Sequence, residues 1–137
     1  EKKKISKSKI IEMQRKKTGM LFQFCCLAPV ILSEKTKYYK KFEKLGLDIG
    51  LLFQIADDII DYKGNSKNAG KKTQKDKKKG KATLISLLGY QNTIKYSVVT
   101  KNKIFNKLSE FGKKANDLKE TLNYVLLRTR WKINLNT

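Results

Sequence analysis

Apolar residues recur at three- and four-residue steps through most of this chain, which is the period of helices packed on one face. From about Lys7 to Leu32, Ile10, Ile11, Met13, Met20, Leu21, Phe24 and Leu27 mark one broad apolar side. Pro29 should kink or end that helix. Ser33 is a suitable N-cap for a second helix running to about Tyr62, with Tyr38, Phe42, Leu45, Ile49, Leu52, Phe53, Ala56 and Ile60 on its inner face. The following KGNSKNAGKKTQKDKKKGK has no apolar anchor and reads as a loop. A third helix should begin near Ala82 and pass through Leu87 and Ile94, with a break around Thr100 to Asn102. A fourth should cover Asn116 to Trp131, with Leu118, Leu122, Val125 and Leu126 sharing a face, and the tail INLNT should fray. The expected fold is all-α.

Composition narrows this picture. With 137 residues, one proline and eight glycines, the chain suits one domain or one large piece of a domain, and a many-turned β fold is disfavoured. The longest apolar run, Gly19 to Leu32, contains Gln23 and Pro29 and is too short to span a bilayer. No A-x-A cleavage site follows it, which argues against a signal peptide. A net charge of +20 raises polyanion binding as a function. The lysines, however, are scattered through every segment alongside abundant Ile and Asn, the pattern of an A+T-rich coding sequence. Cys25 and Cys26 lie in an apolar run and read as small core residues, in keeping with a reducing cytosol.

Against this basic background, FQIADDIID crowds three acids together. On a helix Asp57 and Asp61 are i and i+4, and Asp58 and Asp61 are i and i+3. Like charges so placed destabilise a helix by roughly 0.2–0.5 kcal/mol per pair. In a sheltered site two carboxylates ~6 Å apart repel by about 3 kcal/mol at an effective dielectric near 20. A divalent cation between them removes that cost, and Mg²⁺ takes one or two carboxylates plus phosphate oxygens. The bland alternative is a solvated helix end beside the loop. The loop itself adds Gly70-Lys71, Asp76 and Gly80-Lys81-Ala82-Thr83, in which glycines permit close approach and lysines neutralise phosphate. No Walker A loop is formed, since the required upstream glycine is missing and no strand precedes it. Carboxylates for Mg²⁺ followed by lysines for phosphate suggest an enzyme that handles a diphosphate.

Three motifs in order carry a family resemblance: Lys17-Thr18-Gly19, then GLLFQIADDIID, then GK-x4-D-x3-GK-x-T across Gly70 to Thr83. Even FGKKANDLKETLNYVLLRTR is similar to a closing helix of the same family. The chain resembles the C-terminal half of the trans-prenyltransferases (polyprenyl synthetases), the farnesyl and geranylgeranyl diphosphate synthase family, and GKATLISLLG looks most like the short-chain bacterial farnesyl diphosphate synthases. The resemblance implies half of an isoprenoid synthase helical bundle, with residues 1–137 forming the C-terminal part of a single domain. It also implies head-to-tail condensation of an allylic diphosphate with isopentenyl diphosphate, assisted by Mg²⁺, in a cytoplasmic enzyme that is a homodimer when full length. No transmembrane segment and no specific nucleic-acid partner are expected.

Carried over by position, Asp57 and Asp61 would bind Mg²⁺ and Asp58 would support them. Gln54 would order the acidic end, or serve only as a polar residue at a helix contact. Lys17 and Thr18 would meet the allylic diphosphate, Lys71 the same phosphate, and Lys81 would make the next basic contact. Lys16 and Lys72 read as solvated surface. The family's first aspartate-rich motif and its isopentenyl diphosphate site are not found, so the chain is expected to be a fragment holding half an active site and inactive alone. Gln74 departs from the glycine that close relatives often carry. Rival readings are a longer-chain polyprenyl synthase, a terpene cyclase or squalene-type synthase, and a basic helical polyanion-binding module. The lysine loop and KTG argue against the cyclase.

Overall fold

A computed structural model describes residues 6–68 and 83–131, and every element among them is helical. Helix α1 (Lys7–Gln14) passes through one π-helical turn (Arg15–Gly19) into α2 (Met20–Leu32). A 3-10 turn (Thr36–Tyr38) leads to α3 (Tyr39–Asn68), then α4 (Leu84–Leu88) and α5 (Tyr90–Leu108) follow. A second 3-10 segment (Ser109–Ala115) enters α6 (Asn116–Trp131).

Helix α3, with 30 residues, is the axis of the fold. Its Leu45, Ile49 and Leu52 pack with Ile104 and Leu108 of α5 and with Ala115 and Leu122 near α6. Farther along, its Leu51, Ile55 and Ile59 pack with Ile10 of α1 and Leu84 of α4. The apolar positions expected for this helix and for α6 lie on their packed faces, with Leu45, Ile49, Leu52, Ala56 and Leu122 fully buried.

Several local expectations are corrected. Ser33 does not start α3 but closes α2, where its hydroxyl donates to the Val30 carbonyl at 3.3 Å. Glu34, at φ 55, then reverses the chain in a conformation few non-glycine residues adopt. Of the two outcomes expected at Pro29, an end there does not occur, and α2 continues to its expected limit at Leu32. A proline at that position removes a single N–H from the helix ladder, and neighbouring bonds carry the remaining turn. Helix α3 runs past Tyr62 to Asn68, since extending a formed helix costs far less than starting one. No break occurs at Thr100 to Asn102. Thr93, Ser97 and Thr100 donate their hydroxyls to carbonyls of Gly89, Ile94 and Tyr96, so these buried polar groups are satisfied within the helix. The break falls instead at Gly89, whose φ of 78 and ψ of 162 are accessible essentially only to glycine.

The apolar side expected along α1 and α2 is also revised. Ile10, Leu27 and Val30 are buried, but Met13, Met20, Leu21 and Phe24 are exposed. A π turn changes the helical phase, so α1 and α2 do not continue one stripe. Cys25 is exposed rather than a core residue, whereas Cys26 packs against the core.

Candidate diphosphate-binding site

The arrangement of the acids begins with two glycines. Gly46, Gly50, Gln54, Asp57 and Asp61 follow at steps of four, four, three and four along α3. At 100° per residue they share a stripe within roughly 80° of arc. Its glycine end lets a second backbone approach closely. A Cβ on Gly46 would fall 2.5 Å from Cα of Gln23, and one on Gly50 would fall 2.6 Å from Cα of Gly19. Both distances are well inside van der Waals contact, so only glycine permits this crossing.

The backbone pressed onto the stripe is that of α2 at Gly46 and of Gly19 at Gly50, and Gly19 closes the π turn bearing Lys17 and Thr18. Lys17 is exposed and Thr18 partly buried. Asp57 lies seven residues beyond Gly50, ~10 Å along the axis at 1.5 Å per residue. The crossing therefore fixes the turn that bears Lys17 and Thr18 against α3 at Gly50, on the helix that carries the acids. Lys16, in contrast, is bound to Glu12 at 2.8 Å on the outer surface. This pair draws the Glu12 carboxyl below its usual range and raises the Lys16 ammonium.

Gln54 is buried, at 8 % exposure, and its side-chain amide makes no hydrogen bond to another described residue. Asp57 and Asp58 are partly buried and Asp61 is exposed. All three sit inside α3, which continues to Asn68. Asp58 is turned ~100° from Asp57 around the axis. Among the described residues, no group of three or more Asp, Glu, Cys or His side chains is gathered to hold a metal ion. The stripe instead offers Asp57 and Asp61, one turn apart. Two carboxylates fit Mg²⁺ when phosphate supplies the remaining oxygens.

Past the acids, Tyr62 stacks on Tyr90 with ring centroids 5.3 Å apart, holding this part of α3 beside the start of α5. Thr83 caps α4: its Oγ1 accepts from the Ser86 backbone N–H at 3.1 Å, and Ser86 Oγ accepts from the Thr83 N–H at 3.1 Å. Lys71 and Lys81, with the rest of Gly70 to Ala82, lie outside the described residues.

Sequence reasoning missed Asp48. This acid is 4 % exposed and faces away from the stripe, with Lys107 Nζ at 2.7 Å, Lys103 Nζ at 3.3 Å and an Arg15 guanidinium nitrogen at 4.0 Å. Its one sequence signal is an isolated acid within the apolar run LGLDIGLL, where an unpaired charge would be costly.

No described helix is long and apolar enough to cross a membrane. A family model for polyprenyl synthetases matches residues 1–125. The chain is 28% identical over 115 residues to a farnesyl diphosphate synthase of Micrococcus luteus, covering 83% of this chain and 40% of that protein. It is 31% identical over 113 residues to a geranylgeranyl diphosphate synthase of Cyanophora paradoxa, covering 82% and 38% respectively. Against the crystal structure of a geranyltransferase from Helicobacter pylori, the TM-score is 0.68 at 25% identity, across 93% of this chain and 41% of that one. The chain thus spans about two fifths of the length of these relatives. From the match across nearly all its residues and the shared helical fold, this chain belongs to the polyprenyl synthetase family.

Proposed function

We propose that this chain is the C-terminal part of a trans-prenyltransferase, bearing the wall of the active site that receives the diphosphate of an allylic substrate. The supporting observation is the α3 stripe. Its Gly50 seats Gly19, the last residue of the turn bearing Lys17 and Thr18, and its far end carries Gln54, Asp57 and Asp61. In this reading Lys17 brings positive charge to the phosphate and the Thr18 hydroxyl donates to one of its oxygens. The Gln54 amide completes the polar edge, and Lys71 and Lys81 add charge from the loop. A lysine ammonium ~4 Å from a phosphate oxygen carries about 4 kcal/mol of attraction at an effective dielectric near 20. Bound between Asp57 and Asp61, with Asp58 in support, Mg²⁺ would neutralise the charge that develops on the departing diphosphate. The allylic C–O bond breaks with both electrons leaving on oxygen. The double bond of isopentenyl diphosphate forms the new C–C bond, and a proton is lost.

A short-chain product, farnesyl diphosphate, is the favoured outcome. The similarity to a geranylgeranyl diphosphate synthase keeps a longer product as the second reading. The complete enzyme is read as a cytoplasmic homodimer.

Calorimetric titration of the chain with inorganic pyrophosphate tests the site. Binding should require Mg²⁺ and weaken on Lys17→Ala but not on Lys16→Ala. Binding that ignores Mg²⁺, falls equally in both variants and collapses with salt would instead indicate a general polyanion surface.

A further inference from the structure

Three cations surround the single carboxylate of Asp48, and they come from two different places. Lys103 and Lys107 are one turn apart on α5 and lock that helix onto α3. Arg15 adds nothing to that lock. It is the first residue of the π turn, and its guanidinium reaches Oδ1 of Asp48 at 4.0 Å, whereas Lys107 sits on Oδ2 at 2.7 Å. The last residue of the same turn, Gly19, is pressed against Gly50. Both ends of the π turn are therefore anchored to α3, at positions 48 and 50, with Lys17 and Thr18 between the anchors. A π turn is a rare backbone form, retained where its surroundings enforce it, and frequently found at functional sites.

We infer that Asp48 is a positioning residue. Through Arg15 it fixes the N-terminal end of the π turn and so sets the aim of Lys17 and Thr18, from the face of α3 opposite the acids. The inference rests on the proposed role of Lys17 and Thr18 in holding phosphate, and adds a distant carboxylate to that machinery. It also assigns opposite consequences to the two kinds of partner. Losing Arg15 loosens the turn. Losing Lys107 weakens the α3–α5 contact yet leaves the carboxylate more available to Arg15.

Two measurements on the whole chain test it. Amide hydrogen exchange reports the turn directly. Arg15→Gln and Asp48→Asn should each speed exchange of amides 17–20 by about five-fold, the factor for a partly exposed ion pair worth ~1 kcal/mol. Lys107→Met should lower the melting temperature without speeding those amides selectively. Arg15 is 44% exposed on its side chain, so Arg15→Gln keeps the test available if Asp48→Asn fails to fold. Unchanged exchange in Arg15→Gln overturns the inference.

Titration with Mg²⁺ and inorganic pyrophosphate is the second measurement. Arg15→Gln and Asp48→Asn should weaken binding by similar factors, and the double variant by no more than either. Tighter binding in Asp48→Asn would mean that Arg15 meets phosphate itself, and would overturn the positioning role. If Lys17→Ala leaves binding unchanged, the phosphate reading falls while the exchange result stands alone. If Lys17→Ala weakens binding but Arg15→Gln and Asp48→Asn do not, the positioning inference alone falls.

Discussion

Replacing Gly50 by alanine is a single-methyl test of the helix crossing on which the candidate site depends. The new Cβ would lie 2.6 Å from Gly19 Cα, 3.1 Å from Gly19 N and 3.3 Å from Phe22 Cδ2. Two of these three neighbours are backbone, so no side chain can swing away. Restoring ordinary contact near 3.4 Å requires the π turn to retreat by roughly 0.8 Å, the difference from 2.6 Å. Overpacking of this kind costs about 1–3 kcal/mol. Alanine also gains about 0.8–1.0 kcal/mol over glycine inside a helix, so the net loss should be ~0–2 kcal/mol. The local displacement should matter more than stability. Because the retreat carries Lys17 and Thr18 with the turn, Mg²⁺-dependent pyrophosphate affinity should fall clearly while the melting temperature drops by a few degrees. Gly19→Ala is the control, because its Cβ meets nothing nearer than 3.5 Å. That variant should be neutral or slightly stabilising. If Gly50→Ala shows the full helical gain with unchanged affinity, the two backbones do not touch and the stripe has no role in placing Lys17.

Three further outcomes follow from other features. Asp57→Ala should weaken Mg²⁺-dependent pyrophosphate binding by at least about 10-fold, no less than loss of an outer-shell partner of a metal ligand, with little change in thermal stability; unchanged affinity would remove it from the site. Gly89→Ala should lower stability by about 1–3 kcal/mol from backbone strain alone, since its Cβ meets nothing within 4 Å; an unchanged melting temperature would refute the positive-φ junction. Burial, and secondarily the charge of Cys25, pushes the Cys26 thiol up. The unfolded chain therefore loses this proton first as pH rises through the ordinary thiol range, near 8.5. Stability should be undiminished by this group below that range and decline above it. Cys26→Ala should flatten the decline above the ordinary thiol range relative to the parent chain, and equal slopes would exclude the thiol as its source.

Much of this arrangement was legible because periodicity records which side of a helix is packed. Asn116–Trp131 was found at its bounds, and Leu45, Ile49, Leu52 and Ala56 were found as the inner line of α3. The acidic triplet stood out because its charge opposes that of its surroundings. The illegible parts depend on residues distant in sequence or on subtle backbone choices. Asp48 meets lysines 55 and 59 positions away, a pairing no local pattern carries. The π turn replaces ordinary helix within RKKTG, whose composition also suits an α-helix, and so misdirected the expected faces of Met20, Leu21 and Phe24. Gly89 divides α4 from α5 with one residue, while the hydroxyl-rich stretch that looked like a break ties itself to its own helix.

The unbroken helix between Gly50 and Asp61 makes length, more than composition, the inheritable constraint on this site. One residue inserted between Gly50 and Gln54 would carry every later side chain 1.5 Å along the axis and turn it by ~100°. Asp57 and Asp61 would then leave the side occupied by the Lys17–Thr18 turn, although no residue of the motif had been altered. Four inserted residues would nearly restore the direction, at ~40° from the original, but would carry the acids ~6 Å farther away. Related chains should therefore tolerate volume-conserving apolar exchanges at positions such as Leu51, Leu52 and Ile55 while rejecting insertions and deletions within this segment. Loops elsewhere, such as the reversal at Glu34, have no comparable gearing and can change length without rotating the acids relative to Gly50.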